Sequence, residues 1–260
     1  MNQDTKKDLY REVANLCRRT QARGATFFRY NAKTLVSLDR DTICPKAEEG
    51  NACRYCYRHD LQKAKRLKDT VYHTGPLTKT VRDALIYGLR ELAMVLHKYG
   101  IKRSEFSIRT FSLSDFRYKD RDFWRAVWRT CRETEFKVHA ITKQLPYVPF
   151  IASNVDGVQV SVDTNDVNHR RRAYTLRGNY KNVVVRGVEL SEVDRWLRRF
   201  VDIVTIYHGN HVEGLKTYRT NHASHKTLCG KSQEECGTGA HVCCATGTCI
   251  DCRKCWPIQQ

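Results

Sequence analysis

From residue 105 onward the chain repeats one pattern: apolar, β-branched runs at 105–112, 136–142, 157–163, 182–186 and 201–207, each separated from the next by a segment of crossover length. Two antiparallel strands need only a two-residue turn, whereas a parallel pair needs a dozen or more residues between its strands, usually a helix. The spacing therefore predicts alternating strand and helix and a parallel sheet. With a further strand at 25–30 the count reaches six, which predicts an α/β fold and a partial (β/α)6 parallel barrel rather than a closed eight-stranded one. The clearest crossover helices are 121–132 and 191–200. Upstream, Leu9, Val13, Leu16 and Cys17 recur at helical spacing before Gly24, so an amphipathic helix opens the chain. Thr78 is placed to cap a helix carrying Val81, Leu85, Leu89, Leu92 and Leu96 ahead of Gly100. A basic helix is expected at 57–67.

The strands are not uniformly apolar. Parallel strands covered on both sides read as nearly continuous apolar runs, but here Val158, Val160 and Val162 alternate with Gln159, Ser161 and Asp163. Phe106 and Ile108 alternate with Ser107 and Arg109, and Val138 and Ala140 with Lys137 and His139. One face of the sheet is polar. Either it lines a lumen that holds water or a polar ligand, or it faces solvent. Functional residues in such folds collect at the carboxyl ends of strands. The candidates there are Ser112, Ser114 and Asp115; Thr142, Lys143 and Gln144; Asp163, Asn165 and Asp166; and Tyr207 with His208.

The chain has 12 cysteines among its 260 residues, and they fall in two groups. Cys44, Cys53 and Cys56 share one loop between the first strand signal and the basic helix. Iron-sulfur clusters are held by cysteine thiolates, and three thiols would leave the fourth iron of a four-iron cluster open to a small ligand. A zinc loop completed by a distant His or Cys has the same look. Near the C-terminus stand Cys229, Cys236, Cys243, Cys244, Cys249, Cys252 and Cys255, with His225 and His241 close by. The interval of three between Cys249, Cys252 and Cys255 is that of bacterial ferredoxins, so this segment holds either a second iron-sulfur cluster or zinc. The expected organisation is an N-terminal helix at 1–24, the partial barrel with its cysteine loop at 25–220, and a cysteine-rich metal-binding segment at 221–260. The charged start, Met1 to Asp8, lacks a secretory leader, which predicts a cytoplasmic protein. A reducing compartment favours metal binding over disulfides, with structural disulfides or idle thiols as the alternative. Runs of apolar residues fall well short of a membrane span, so no membrane is expected as a partner.

Lysine and arginine total 46 against 28 aspartates and glutamates, a formal charge of +18. The excess is spread over Arg18-Arg19, residues 63–68, His169-Arg170-Arg171-Arg172 and residues 195–199 rather than held in a tail. A basic folded surface of this kind points to a polyanionic partner, a nucleic acid or nucleotide. A surface charged only for solubility is the plainer reading.

Asn31-Ala32-Lys33-Thr34, Cys44-Pro45, Cys53-Arg54-Tyr55-Cys56-Tyr57, Arg109, Ser114-Asp115-Phe116, Trp124 or Trp128, and Ile141-Thr142-Lys143 occur in that order. This ordered set, across roughly residues 26–165, resembles the signature of the phage "gene product 88" domain family. That family in turn resembles radical S-adenosylmethionine enzymes, which carry a cysteine loop after the first strand of a partial barrel and an aromatic residue before the last cysteine. The resemblance implies a barrel of radical S-adenosylmethionine type, a 4Fe-4S cluster on Cys44, Cys53 and Cys56, and S-adenosylmethionine with its adenine beside Tyr55. It further implies that Asp115 and Asp163 face the cofactor's polar end, that a reductant protein is a partner, and that the C-terminal cysteines hold an auxiliary cluster. The location implied is the cytoplasm of a phage host. Eight residues separate Cys44 from Cys53, where three is usual in that superfamily, and Ser112-Leu113-Ser114-Asp115 stands where a Gly-Gly-Glu motif is usual.

Two function classes follow. One is a radical S-adenosylmethionine-like iron-sulfur enzyme that uses a 5'-deoxyadenosyl radical on a nucleic acid or nucleotide. The other is a non-catalytic nucleic-acid-binding protein braced by zinc or a cluster.

Overall fold

The computed structural model describes residues 2–31, 34–40, 73–112, 115–162, 167–189, 203–206 and 241–244. Helix α1, Gln3–Ala22, begins at Asn2, whose side chain accepts the backbone N–H of Thr5, and buries Leu9, Val13, Leu16, Cys17 and Thr20. An N-cap of this type satisfies one of the amide donors left over in the first helical turn. Gly24, with φ +116°, turns the chain back toward the sheet, a conformation open to glycine at no steric cost. Strand β1, Phe28–Asn31, then pairs antiparallel with β2, Leu35–Leu38, with Phe28 opposite Leu38. The sequence pattern predicts one strand here; the second has only four residues, all buried, and so shows no periodicity to read.

Helix α2, Lys79–Lys98, has Thr78 as its N-cap, as the sequence predicts, with the Thr78 hydroxyl accepting from Val81 N–H. It packs along α1. Strand and helix then alternate as far as β6: β3 Ser107–Thr110, α3 Arg121–Glu133, β4 Lys137–Thr142, α4 Val148–Ala152, β5 Gly157–Val162, α5 Val167–Asn179 and β6 Val183–Glu189, with β7 Ile203–Ile206 and β8 His241–Cys244 further along the chain. The protein is thus mixed α/β. Among the described residues eight strands form one sheet in the order β1-β2-β3-β4-β5-β6-β7-β8, and every pair from β2 to β8 is parallel.

Strand order follows chain order, so each crossover moves in the same direction across the sheet. Right-handed crossovers of that kind place their helices on a single face. Burial agrees: Ile108, Val138, Ala140, Val158, Val160, Val162, Val183 and Val185 form one core with residues of α1, α2 and α3, and α3 packs on β4, α4 on β5, and α5 on β5 and β6.

Three differences from the sequence pattern matter for the site. The cysteine segment follows β2, the first strand of the parallel set, rather than the first strand of the chain. Helix α5 covers the His169 to Arg172 run, which has no apolar repeat to announce a helix; Ala173 is fully buried in it. Strand β8 lies within the cysteine-rich segment and pairs with β7, Val204 beside Val242. The expected helices at 57–67 and 191–200 lie outside the described residues.

Candidate functional site

Strand register fixes which side chains share the face opposite the helices. Ser37, Arg109 and His139 are lateral neighbours across β2, β3 and β4, Ile141, Gln159 and Val184 across β4, β5 and β6, and Ser161 and Arg186 across β5 and β6. Side chains alternate along a strand, so Ser107 and Lys137 belong to the same face. The alternative of a solvent-facing sheet fails on burial: Ser107 is 1 % exposed, His139 2 %, Gln159 3 % and Ser161 4 %. This is an interior polar face.

His139 is its central titratable group. Its Nδ1 lies 3.1 Å from Ser107 Oγ. Burial, reinforced by the charges of Arg109 and then Arg186, pulls the imidazole down to about 3, so the ring is neutral at physiological pH. Arg109 holds a buried Nε with no hydrogen-bond acceptor. A buried donor without a partner is costly, and such an atom on an interior face marks a place where a ligand can bring the acceptor.

The carboxyl ends of β2, β3 and β4 form a connected rim. Asp39, at the end of β2, accepts from Ser37 Oγ at 2.8 Å, from Ser112 N–H at 2.6 Å and from the Ser112 hydroxyl. At the end of β3, Phe111 takes φ 62°. That left-handed step costs a non-glycine residue about 1–2 kcal/mol, and it turns the ring away from the polar face into contact with Trp124 at 4.9 Å and Trp128 at 6.0 Å. Asp115 then accepts from Phe116 N–H, from the Thr142 hydroxyl and from Lys143 N–H at 2.7, 2.5 and 2.8 Å. Burial raises its carboxyl above the ordinary range even though all three donors favour the charged form. Through these bonds Asp115 fixes the turn that presents Gln144, whose buried Nε2 has no acceptor.

The residues that carry the family resemblance in this part of the chain therefore meet in space. Asp115 binds Thr142 and Lys143, while Phe116 stacks on Trp128 at 6.4 Å. Trp124 and Trp128, 2 % and 0 % exposed, are the aromatic packing behind the rim.

The same rim carries both ends of the cysteine segment. Arg40, the last described residue before it, pairs with Asp120 at 3.1 Å and donates to the carbonyls of Thr74 and Gly75, just after it, at 3.0 and 2.9 Å. The guanidinium lies 4.2 Å from the Phe123 ring centroid, on which His73 also stacks at 5.3 Å. Residues 40 and 73 are thus held together on one aromatic ring.

Cys44, Cys53, Tyr55, Cys56, Asp163, Cys229, Cys236, Cys249, Cys252 and Cys255 lie outside the described residues, and Cys243 and Cys244 sit on β8. Cys17 and Cys131 are buried free thiols, both pushed up to about 12 by burial, and act as small core residues. Among the described residues no group of three or more His, Cys, Asp or Glu is arranged to hold a metal, and no helix is long and apolar enough to cross a membrane. Sequence reading missed Asp39 and Arg40. The signal available was their position, directly after an apolar run and directly before the cysteines. No protein-family model, curated protein or solved structure matches the chain.

Proposed function

We propose that this chain is an iron-sulfur enzyme of the radical S-adenosylmethionine type that acts on a nucleotide or nucleic acid. The observation that carries the reading is the interior polar face of the sheet, opening on the rim where Arg40 joins the two ends of the cysteine segment. A parallel sheet whose strand order follows chain order supports the partial (β/α)6 barrel with that face as its lumen. Cys44, Cys53 and Cys56 would hold a 4Fe-4S cluster at the rim, with Tyr55 beside the adenine of S-adenosylmethionine. Such a cofactor pair, when bound and reduced, supplies a 5'-deoxyadenosyl radical for hydrogen abstraction.

The described residues fit a polar cofactor at this rim. Gln144 Nε2 is a buried donor awaiting an acceptor, which a carboxylate or adenine brings. Asp115 positions that amide through Thr142 and Lys143, and Asp163 would extend the same rim at the end of β5. The aromatic packing of Phe111 and Trp124 excludes water from behind. A reductant protein is the implied partner, the host cytoplasm the implied location, and the cysteines from Cys229 to Cys255 the site of a second cluster or zinc.

Anaerobic purification tests the reading. The expected protein is brown, with more than one cluster's worth of iron. Alanine at Cys44, Cys53 and Cys56 together removes part of that iron, and wild type releases 5'-deoxyadenosine from S-adenosylmethionine under strong reductant while Cys56→Ala releases none. Colourless protein with stoichiometric zinc alone would instead favour the nucleic-acid-binding module, a reading to which the exposed Arg171 and Arg172 of α5 lend support. Full iron content without cofactor cleavage would assign the cluster a structural or electron-transfer role.

A further inference from the structure

We infer that the interior polar face holds a phosphate group, with Arg109 as its principal contact, so that the small-molecule substrate is a nucleotide carrying a phosphate monoester. The inference rests on the proposed function for the word nucleotide; the anion site itself stands on the described residues.

The inward-facing residues of β3 to β6 are Ser107, Arg109, Lys137, His139, Ile141, Gly157, Gln159, Ser161, Val184 and Arg186 by register. Three are cations, of which Arg186 is not without a partner while Arg109 and Lys137 have no carboxylate partner among the described residues, and none is a carboxylate. Asp39, an acid on the rim, is already engaged by Ser37 and Ser112. Among the described residues no carboxylate pairs with Arg109, and its buried Nε has no acceptor. Cations gathered on a desolvated surface repel one another, and the repulsion grows as the dielectric falls. An anion brought to this face relieves it.

The neighbouring groups select among anions. Arg presents a planar fork of donors that matches phosphate and carboxylate. Ser161 is neutral and can donate to a further oxygen, and the buried, uncharged His139, already engaged with Ser107, adds no second negative or positive demand. A group with three acceptor oxygens uses these donors more fully than a carboxylate with two. The position, about two to three residues below the rim, leaves the remainder of a nucleotide pointing toward the strand ends where Gln144 lies.

The experiment is calorimetric titration of the full chain with inorganic phosphate, acetate, the eight ribonucleoside and deoxyribonucleoside 5'-monophosphates, and the matching nucleosides. At least one monophosphate should bind about tenfold or more tightly than its nucleoside, phosphate should compete with it, and Arg109→Gln should lose that advantage, the loss expected of a charge-assisted contact. Arg90→Gln, exposed on α2, should bind as wild type. Because Arg109→Gln can fail to fold, Ser161→Asp provides a second arm: a carboxylate on the same face should occupy the cations and weaken monophosphate binding. Equal binding of nucleoside and monophosphate, tighter binding of acetate than phosphate, or unchanged affinity in both variants overturns the assignment. The alanine triple variant at Cys44, Cys53 and Cys56 separates this from the enzyme reading, since phosphate binding should persist there whatever the iron content.

Discussion

Ser107 Oγ and His139 Nδ1 meet at 3.1 Å across the β3–β4 pair, on the side of the sheet away from the helices. The bond fixes the imidazole of a residue that folding has stripped of water and set beside two arginines.

Acid should therefore unfold the protein partly through His139. Its folded value is about 3, lowered by burial, Arg109 and Arg186 in that order, while an unfolded histidine titrates near about 6.5. Between these values the unfolded chain binds a proton that the native state refuses. Stability is complete above the unfolded value and is lost as pH falls through that window, by up to about 1.4 kcal/mol per pH unit. Denaturant midpoints of wild type and His139→Gln at several pH values from 7 to 4 measure this directly. The variant should show the shallower dependence, and parallel curves would remove His139 from the account.

Gly88→Ala should destabilise the α1–α2 contact. A Cβ at Gly88 would stand 2.6 Å from Thr20 Cγ2 and 2.8 Å from Thr20 Oγ1, and Thr20 is fully buried. Alanine is the better helix former by about 1 kcal/mol, but overpacking of a filled core costs about 1–3 kcal/mol, so the net sign is loss. Thr20→Ala should recover most of it, because the two changes share one space. Additive thermal shifts in the double variant would contradict this.

Asp115→Ala should cost about 1–3 kcal/mol by leaving the N–H groups of Phe116 and Lys143 and the Thr142 hydroxyl without their acceptor. Amide exchange at Lys143 should accelerate. Iron content should not change, since the carboxylate positions the rim rather than ligating a cluster. Loss of iron with unchanged exchange at Lys143 would reverse that assignment.

Arg40→Ala should destabilise by about 2–4 kcal/mol, because the partly buried Asp120 loses its counterion and the carbonyls of Thr74 and Gly75 lose their donor. Arg40→Lys should recover little of this, as a single ammonium cannot reach a carboxylate and two carbonyls with a planar fork. Under anaerobic preparation both variants should retain less iron than wild type, with the alanine form lowest. Equal iron in all three would separate the clamp from the cysteine segment.

Replacing Arg170, Arg171 and Arg172 with glutamine should weaken nucleic-acid binding and flatten its salt dependence by about one unit of slope per lost phosphate contact. Arg171 and Arg172 are exposed on α5. Affinity that is constant between low and high salt in the wild type would mean the +18 charge serves another purpose.

The strand spacing from residue 105 onward and the alternation of Val with Gln, Ser or Arg were enough to place β3 to β7 in a parallel sheet with one polar face, because these depend on local period and connection length. The N-terminal helix and the Thr78 cap were legible for the same reason. Burial of the polar face was not, since a Ser or His at an alternating position reads alike whether water or protein lies against it. The short β2, the α5 helix with its buried Ala173, and the β8 strand within a cysteine-rich segment carry too little periodic signal; partners distant in sequence decide them. Asp39 with Ser112, Arg40 with Gly75, and the neutral His139 in the field of Arg109 and Arg186 are likewise products of the tertiary structure alone: hydrogen bonds and desolvation depend on what is brought close, and only the packed sheet brings those residues together.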